Sequence, residues 1–218
     1  MRHALVFDLD GLLIDSEALQ YKAYSLVLAR FGVKVSAAEY ARHWIATGHG
    51  PEYAVDAYKL PVNPKELRAL KDPVYHEIMR REIALMPGAL AALQGLCGHY
   101  PLAVATNSNH ADTDFVLDHL ALRRFFDVIV TREQYVLAKP NPDAFLTAAH
   151  QLGVPPTSCV VIEDAYKGIL AAHRAGAIAI AIPNAFTRDN DFSLAAAVLG
   201  SLAELTLSLI QDLFARPR

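Results

Sequence analysis

Cysteine and tryptophan are nearly absent from this sequence, which holds only Cys97, Cys159 and Trp44 of the two types. Two distant thiols make no disulfide framework, and a chain of 218 residues buries a core without one. Both are expected as reduced, buried small hydrophobes, which suits a cytoplasmic protein. No uninterrupted apolar run is long enough for a signal h-region or a membrane span. Positive charge is not in excess either: 20 Lys and Arg stand against 23 Asp and Glu, a formal net charge of −3. Neither a nucleic-acid backbone nor a membrane is therefore expected as a partner. Among nine histidines there is no His-Glu-x-x-His spacing, which removes the main reason to expect zinc. No Gly-x-Gly-x-x-Gly follows the first apolar run, so a dinucleotide is not indicated. The glycine-rich stretch 47–52 lacks the Lys-Ser/Thr ending of a P-loop. Repeats and low-complexity segments are also missing.

What is present is a globular composition with a regular alternation of patterns. Residues 4–7 form a short apolar run ending in carboxylates, read as a strand buried on both faces. From Asp15 to about Phe31 the spacing of Leu19, Ala23, Leu26 and Val27 predicts a helix, capped by Asp15 or Ser16. Residues 33–82 stay helical in character, interrupted by Gly48, Gly50, Pro51, Pro61, Pro64 and Pro73, with no convincing strand. Beyond Pro87-Gly88, strands are expected at 102–105, 128–130, 160–162 and 177–182. Helices are expected to include 115–120, 143–152 and 167–175. That alternation predicts an α/β protein with a parallel sheet and helices on both faces. The first strand finds partners only beyond residue 100, so a helical block inserted after it is the economical arrangement. The expected division is a catalytic core of 1–15 and 84–218 and a helical cap of 16–83.

In an open parallel sheet, ligands bind at the carboxyl ends of the strands. Asp8 and Asp10 follow the first strand, Thr106-Asn107-Ser108 the second, Lys139 the third, and Glu163-Asp164 end the fourth. Carboxylates, a hydroxyl and an ammonium group on one rim suit phosphoryl transfer, where a metal ion and a cation must neutralise the phosphate. Asp8, with Asp164 and in one reading Glu163, makes the hard oxygen site that Mg²⁺ prefers; in the other reading Glu163 accepts backbone bonds or contacts a metal-bound water. Asp8 then doubles as nucleophile, forming an aspartyl-phosphate. Asp10 is placed to protonate the leaving alkoxide and later to deprotonate water. Thr106 and the backbone around Asn107 bind phosphoryl oxygens, and Lys139 balances both nucleophile and transferring group. Each residue also has a bland reading. A bare Asp-x-Asp is as often a turn, a lone Thr a strand end, and a Lys before Pro a solvated surface group. Trp44, Tyr53 and His49 read first as packing or surface residues of the cap.

The segments Phe7-Asp8-Leu9-Asp10-Gly11, Ala105-Thr106-Asn107-Ser108, Lys139-Pro140-Asn141-Pro142-Asp143 and Ile162-Glu163-Asp164 resemble, in order, the four motifs of the haloacid dehalogenase-like hydrolases. Gly168 and Gly176 follow in a matching arrangement, and the resemblance runs from residue 1 to about 185. It implies a Rossmann-like core, a helical cap inserted after the first strand, Mg²⁺, and an aspartyl-phosphate intermediate, with the backbone carbonyl of Asp10 as a further metal ligand. The stretch from Asp10 to Glu17 resembles the β-phosphoglucomutase-like branch, which includes sugar-phosphate and pseudouridine-phosphate phosphatases. Asp10 speaks against a dehalogenase, whose first motif usually lacks it. Mutases of the branch carry a His where this chain has Gln20-Tyr21, and cations near the cap glycine, where it has 47–52 without Lys or Arg. Hydrolysis of a small phosphorylated metabolite, a sugar phosphate or nucleotide-like monophosphate, is therefore expected ahead of a phosphosugar mutase. A phospho-aspartate signalling or binding module is the alternative of another class; it has no use for a large insert. The expected assembly is a monomer or weak homodimer.

Overall fold

A computed structural model describes residues 2–216. Its centre is a parallel sheet of six strands in the order β3-β2-β1-β4-β5-β6. In sequence these are β1 (Ala4–Phe7), β2 (Leu102–Ala105), β3 (Val128–Val130), β4 (Cys159–Glu163), β5 (Ile178–Ala181) and β6 (Ala197–Val198). The first strand is thus central, between β2 and β4, with Leu5 opposite both Leu102 and Val160. Every residue of β1, β2 and β4 is buried, as strands covered on both faces must be.

Nine α-helices accompany the strands among the described residues: α1 (Ser16–Ala29), α2 (Ala37–Tyr40), α3 (Gly50–Tyr58), α4 (Pro64–Glu82), α5 (Ala89–Leu96), α6 (His110–His119), α7 (Asp143–Leu152), α8 (Tyr166–Ala175) and α9 (Leu207–Ala215). On one sheet face alternate residues Ala4, Val6, Ala103, Ala105, Val161, Ala179 and Ala181 pack with Phe145, Ala148, Leu152, Ile169 and Ala172. The period of two selects that face, and its alanines let helices approach closely. Helix α7 lies against β1, β2 and β3, and α8 against β4 and β5.

The chain divides into two compact units. One comprises the sheet, up to Ile14, with Leu85–Asn184 and the residues from Asn190 on; the other comprises Asp15–Ala84 with Ala185–Asp189. The second unit is helical, with α1 packed on α4. Its core is aromatic: Tyr24, Tyr40 and Trp44 are buried with Val27, Leu28 and Leu67, and Tyr21, Tyr53, Tyr58 and Phe186 close around them.

The α/β architecture with a parallel sheet agrees with the expectation from sequence. Four details differ. Pro73 does not break a helix but lies inside α4, whose Asn63 caps it in a capping box and whose packed face outweighs the proline. Among the described residues, Asp15 sits at the N-cap of α1 without a side-chain cap bond, and the Ser16 hydroxyl is buried with no hydrogen-bond partner. Cys97, expected inside, is exposed, while Cys159 is buried. The fourth is the π-helical segment Ala41–Ala46, which carries Trp44. Among the described residues no helix is long and apolar enough to cross a membrane.

Candidate active site

Asp8 is the first residue past β1, and its N–H donates to the carbonyl of Ile162 in β4 at 3.0 Å, so the sheet ladder continues under it. Its side chain is buried. Glu163 is the last residue of β4, and Asp164 follows it. Carboxylate oxygens of Asp8, Glu163 and Asp164 all lie within 4.8 Å of one another, and all three residues are buried.

Lys139 reaches into this acidic group. Its Nζ donates to Asp8 Oδ1, to Glu163 Oε1 at 2.9 Å and to the carbonyl oxygen of Ala105 at 2.9 Å, which uses all three ammonium protons. The ring of Phe145 lies 4.6 Å from the same nitrogen. Burial works against charge on Lys139, but the Asp8 and Glu163 carboxylates outweigh it and hold its pKa above the ordinary lysine value. Burial also pushes the Asp8 carboxyl up to about 8, with Lys139 pulling it down and Glu163 and Asp10 pushing it up.

Glu163 is held from both ends. Its Oε2 accepts from the backbone N–H groups of Asp164 at 2.8 Å and Ala165 at 2.9 Å, and its Oε1 accepts from Lys139. Space for the side chain exists because residue 168 is glycine; a Cβ there would lie 1.7 Å from Glu163 Oε1. Asp164 is steadied by Asn184, whose Nδ2 donates to Asp164 Oδ2 at 2.8 Å and to the carbonyl of Gly11 at 3.0 Å. Gly11 adopts φ +76°, and a Cβ on it would come within 2.7 Å of both Asn184 Nδ2 and Asp164 Oδ2.

Asp10 is half-buried, and one of its oxygens carries two hydroxyls. Thr106 Oγ1 donates to Oδ2 at 3.0 Å and Ser108 Oγ donates to the same atom at 2.6 Å. Thr106 Oγ1 in turn accepts from the N–H of Ser108 at 3.0 Å. Asn107 does not join this cluster through its side-chain oxygen. That Oδ1 lies 2.7 Å from the Tyr135 hydroxyl and accepts from the backbone N–H of Lys139 at 3.3 Å. Tyr135 also lies 2.8 Å from the Thr106 carbonyl oxygen, so it ties the loop after β2 to the segment that brings in Lys139.

The structure thus joins Asp8 with Lys139, Glu163 and Asp164, and Asp10 with Thr106. Sequence reasoning left Ser108, Tyr135 and Asn184 without roles. Asn184 was within reach of the same rule, since it lies just past the carboxyl end of β5.

Three buried carboxylates with a single buried ammonium among them leave negative charge uncompensated, at a cost that a divalent cation would remove. The donors are all hard oxygens, the set that magnesium and calcium favour over softer metals. Glu163 lies beside the other two carboxylates, but both its oxygens are already engaged. Asp8 and Asp164 are therefore the candidates for direct contact with a cation.

The pattern of the haloacid dehalogenase-like hydrolases matches residues 5–182. The fructose-1-phosphate phosphatase YqaB of Escherichia coli K12 is 33% identical over 177 residues, 81% of this chain and 94% of that protein. Hexitol phosphatase B of the same strain is 34% identical over 220 residues, 93% of this chain and 94% of that protein. Among solved structures, CbbY from Rhodobacter sphaeroides in complex with phosphate superimposes with a TM-score of 0.83. It shares 28% identity, over 97% of this chain and all of that one. The chain belongs to the haloacid dehalogenase-like hydrolases, in the branch that holds sugar-phosphate phosphatases.

Proposed function

We propose that this protein is a magnesium-dependent phosphatase that hydrolyses a small phosphate monoester through an aspartyl-phosphate on Asp8. Its enzyme class, phosphoric monoester hydrolase, rests on the family and on the phosphatases among its relatives. The observation that carries the mechanism is the contact of Lys139 with Asp8 and Glu163 beside Asp164, with Asp10 two residues along the same strand end.

In the first step an Asp8 carboxylate oxygen attacks phosphorus, and the ester oxygen departs with a proton from the Asp10 carboxyl. In the second, water attacks the aspartyl-phosphate, gives a proton to Asp10, and releases inorganic phosphate and the Asp8 carboxylate. Thr106 and Ser108, both bonded to Asp10 Oδ2, fix the orientation of that carboxyl and leave Oδ1 as the oxygen presented for proton transfer. Asn107 contributes to phosphoryl binding through the backbone of its loop, because its side-chain oxygen is turned to Tyr135. Lys139 holds Asp8 in place for attack and balances charge as the phosphoryl group arrives. Asp8, Asp164 and the Asp10 carbonyl would hold the metal ion, with Glu163 supporting from behind. The ion would supply charge neutralisation for the phosphoryl oxygens.

Sugar or polyol monophosphates are the substrate class that the relatives support, and a nucleotide-like monophosphate stays within the branch. A mutase would need cations to hold a second phosphate. The ammonium of Lys71 in the helical unit is already engaged by Gln20 Oε1 at 2.9 Å and Asp72 at 2.8 Å, which favours hydrolysis. The test is phosphate release from sugar, polyol, nucleotide and aryl monophosphates, with Mg²⁺ and with chelator. Release with Mg²⁺ alone is expected; equal release after chelation contradicts the proposal. Isomerised sugar phosphate without free phosphate would move the assignment to a mutase.

A further inference from the structure

The turn after β3 carries one aromatic hydroxyl back to the loop after β2, and both lie in the sheet unit. Thr131 and Gln134 close a capping box there, with the Thr131 N–H donating to Gln134 Oε1 at 2.6 Å. The Arg132 N–H donates to the Ser108 carbonyl at 3.0 Å, so the turn runs beside residues 106–108. Tyr135 follows in extended conformation and is buried. The Arg132 guanidinium lies 5.2 Å from the centre of its ring. That guanidinium also donates to the carbonyls of Tyr135 at 2.9 Å and Val136 at 3.2 Å, which fixes the backbone the ring stands on. The hydroxyl so placed has one proton for two acceptors, the Thr106 carbonyl at 2.8 Å and Asn107 Oδ1 at 2.7 Å.

We infer that Tyr135 is a positioning residue for Lys139, acting through the side chain of Asn107; this rests on the proposed attack by Asp8. The loop after β2 holds Lys139 at both of its ends. The lysine Nζ donates to the Ala105 carbonyl at 2.9 Å, and its backbone N–H donates to Asn107 Oδ1 at 3.3 Å. The second bond is long, and an amide oxygen met by it alone is free to turn away. The Tyr135 hydroxyl, 2.7 Å from the same oxygen, keeps the amide in the orientation that receives the Lys139 N–H. Lys139 Nζ in turn bonds Asp8, so a shift of the lysine is a shift of the nucleophile. A misplacement of about 1 Å can cost about 100-fold in rate, and partial loosening of one support costs less.

The test reads steady-state phosphate release from an aryl phosphate with Mg²⁺, on the full chain. Tyr135→Phe keeps the ring and removes only the hydroxyl. It should lower kcat by about 5- to 20-fold and leave KM within about twofold. Asn107→Ala should lose at least as much. The double variant Tyr135→Phe/Asn107→Ala should lose no more than Asn107→Ala alone, because the two act in series. Ile210→Val trims the buried face of α9, whose Phe214 stacks on His3 at the opposite end of the strands. It should lower thermal stability and leave kcat unchanged. Wild-type kcat in Tyr135→Phe overturns the inference. So does a change confined to KM, additive loss in the double variant, or an equal kcat loss in Ile210→Val. Phosphate release that persists in Asp8→Asn refutes the proposed nucleophile itself, and this inference with it.

Discussion

A single methyl group on Gly168 should damage the site without touching any reacting atom. A Cβ at 168 would lie 1.7 Å from Glu163 Oε1 and 1.8 Å from its Cδ. Those distances are far inside van der Waals contact, so Glu163 or the start of α8 must move. Glu163 is 3% exposed and has nowhere open to go. Displacing it breaks contacts with Lys139, the Asp164 N–H and the Ala165 N–H. Each such charge-assisted bond contributes about 1.5–3 kcal/mol, so losing one or two costs roughly 2–5 kcal/mol. Helix propensity works the other way, because alanine replacing glycine in a helix gains about 1 kcal/mol. The net expectation for Gly168→Ala is a loss of roughly 1–4 kcal/mol, with phosphatase activity down by at least about tenfold. Urea unfolding followed by circular dichroism reads the first and phosphate release the second. Gly95→Ala is the matched control: it lies in α5, nothing stands within 4 Å of where its Cβ would go, and it should stabilise by about 0.5–1 kcal/mol. If Gly168→Ala were as stable as the wild type, or more so, the role given to Glu163 in holding this turn would be wrong.

Asp10→Asn should slow alkyl esters far more than aryl esters, since poor leaving groups need the acid; equal losses on both would count against that role. Ser108→Ala removes the 2.6 Å donor to Asp10 Oδ2 and should lower kcat by about 10- to 100-fold with little change in KM. A change confined to KM would instead make Ser108 a substrate contact. In the helical unit, burial raises the pKa of Glu39, but bonds from the hydroxyls of Tyr53 and Tyr58 outweigh it and leave the value below the ordinary one. Its contribution to stability is present above the unfolded-state pKa and lost as pH falls through the lower folded value. The difference in melting temperature between Glu39→Gln and wild type should therefore shrink in mildly to strongly acidic buffer, and a constant difference would contradict this.

The core strands were legible because each is a short apolar run that ends abruptly in polar residues, as at Phe7-Asp8 and Ile162-Glu163. β6 was not, since two residues carry no period. Pro73 misled because a local rule about proline says nothing of the packing along α4. Asp8, Asp10, Lys139 and Asp164 could be picked from strand ends by residue type alone. Ser108 and Asn184 could not be ranked that way, because a serine or asparagine gains its importance from the partner it meets. Tyr135 was harder still: its hydroxyl joins two loops that are distant in sequence, and nothing near it marks that meeting. Glu163 shows the same limit, as its type suits a metal while nothing near it in sequence marks its bonds to Lys139 and to two backbone N–H groups.

The central claim is that Asp8 carries the phosphoryl group during turnover. Acid quenching during steady-state hydrolysis, followed by borohydride reduction, converts an acyl phosphate of aspartate to homoserine, which peptide mass spectrometry locates. Homoserine at position 8, formed only when both substrate and Mg²⁺ are supplied, is the predicted result. Turnover with no modification at Asp8, or with phosphate trapped on another residue, would contradict the account.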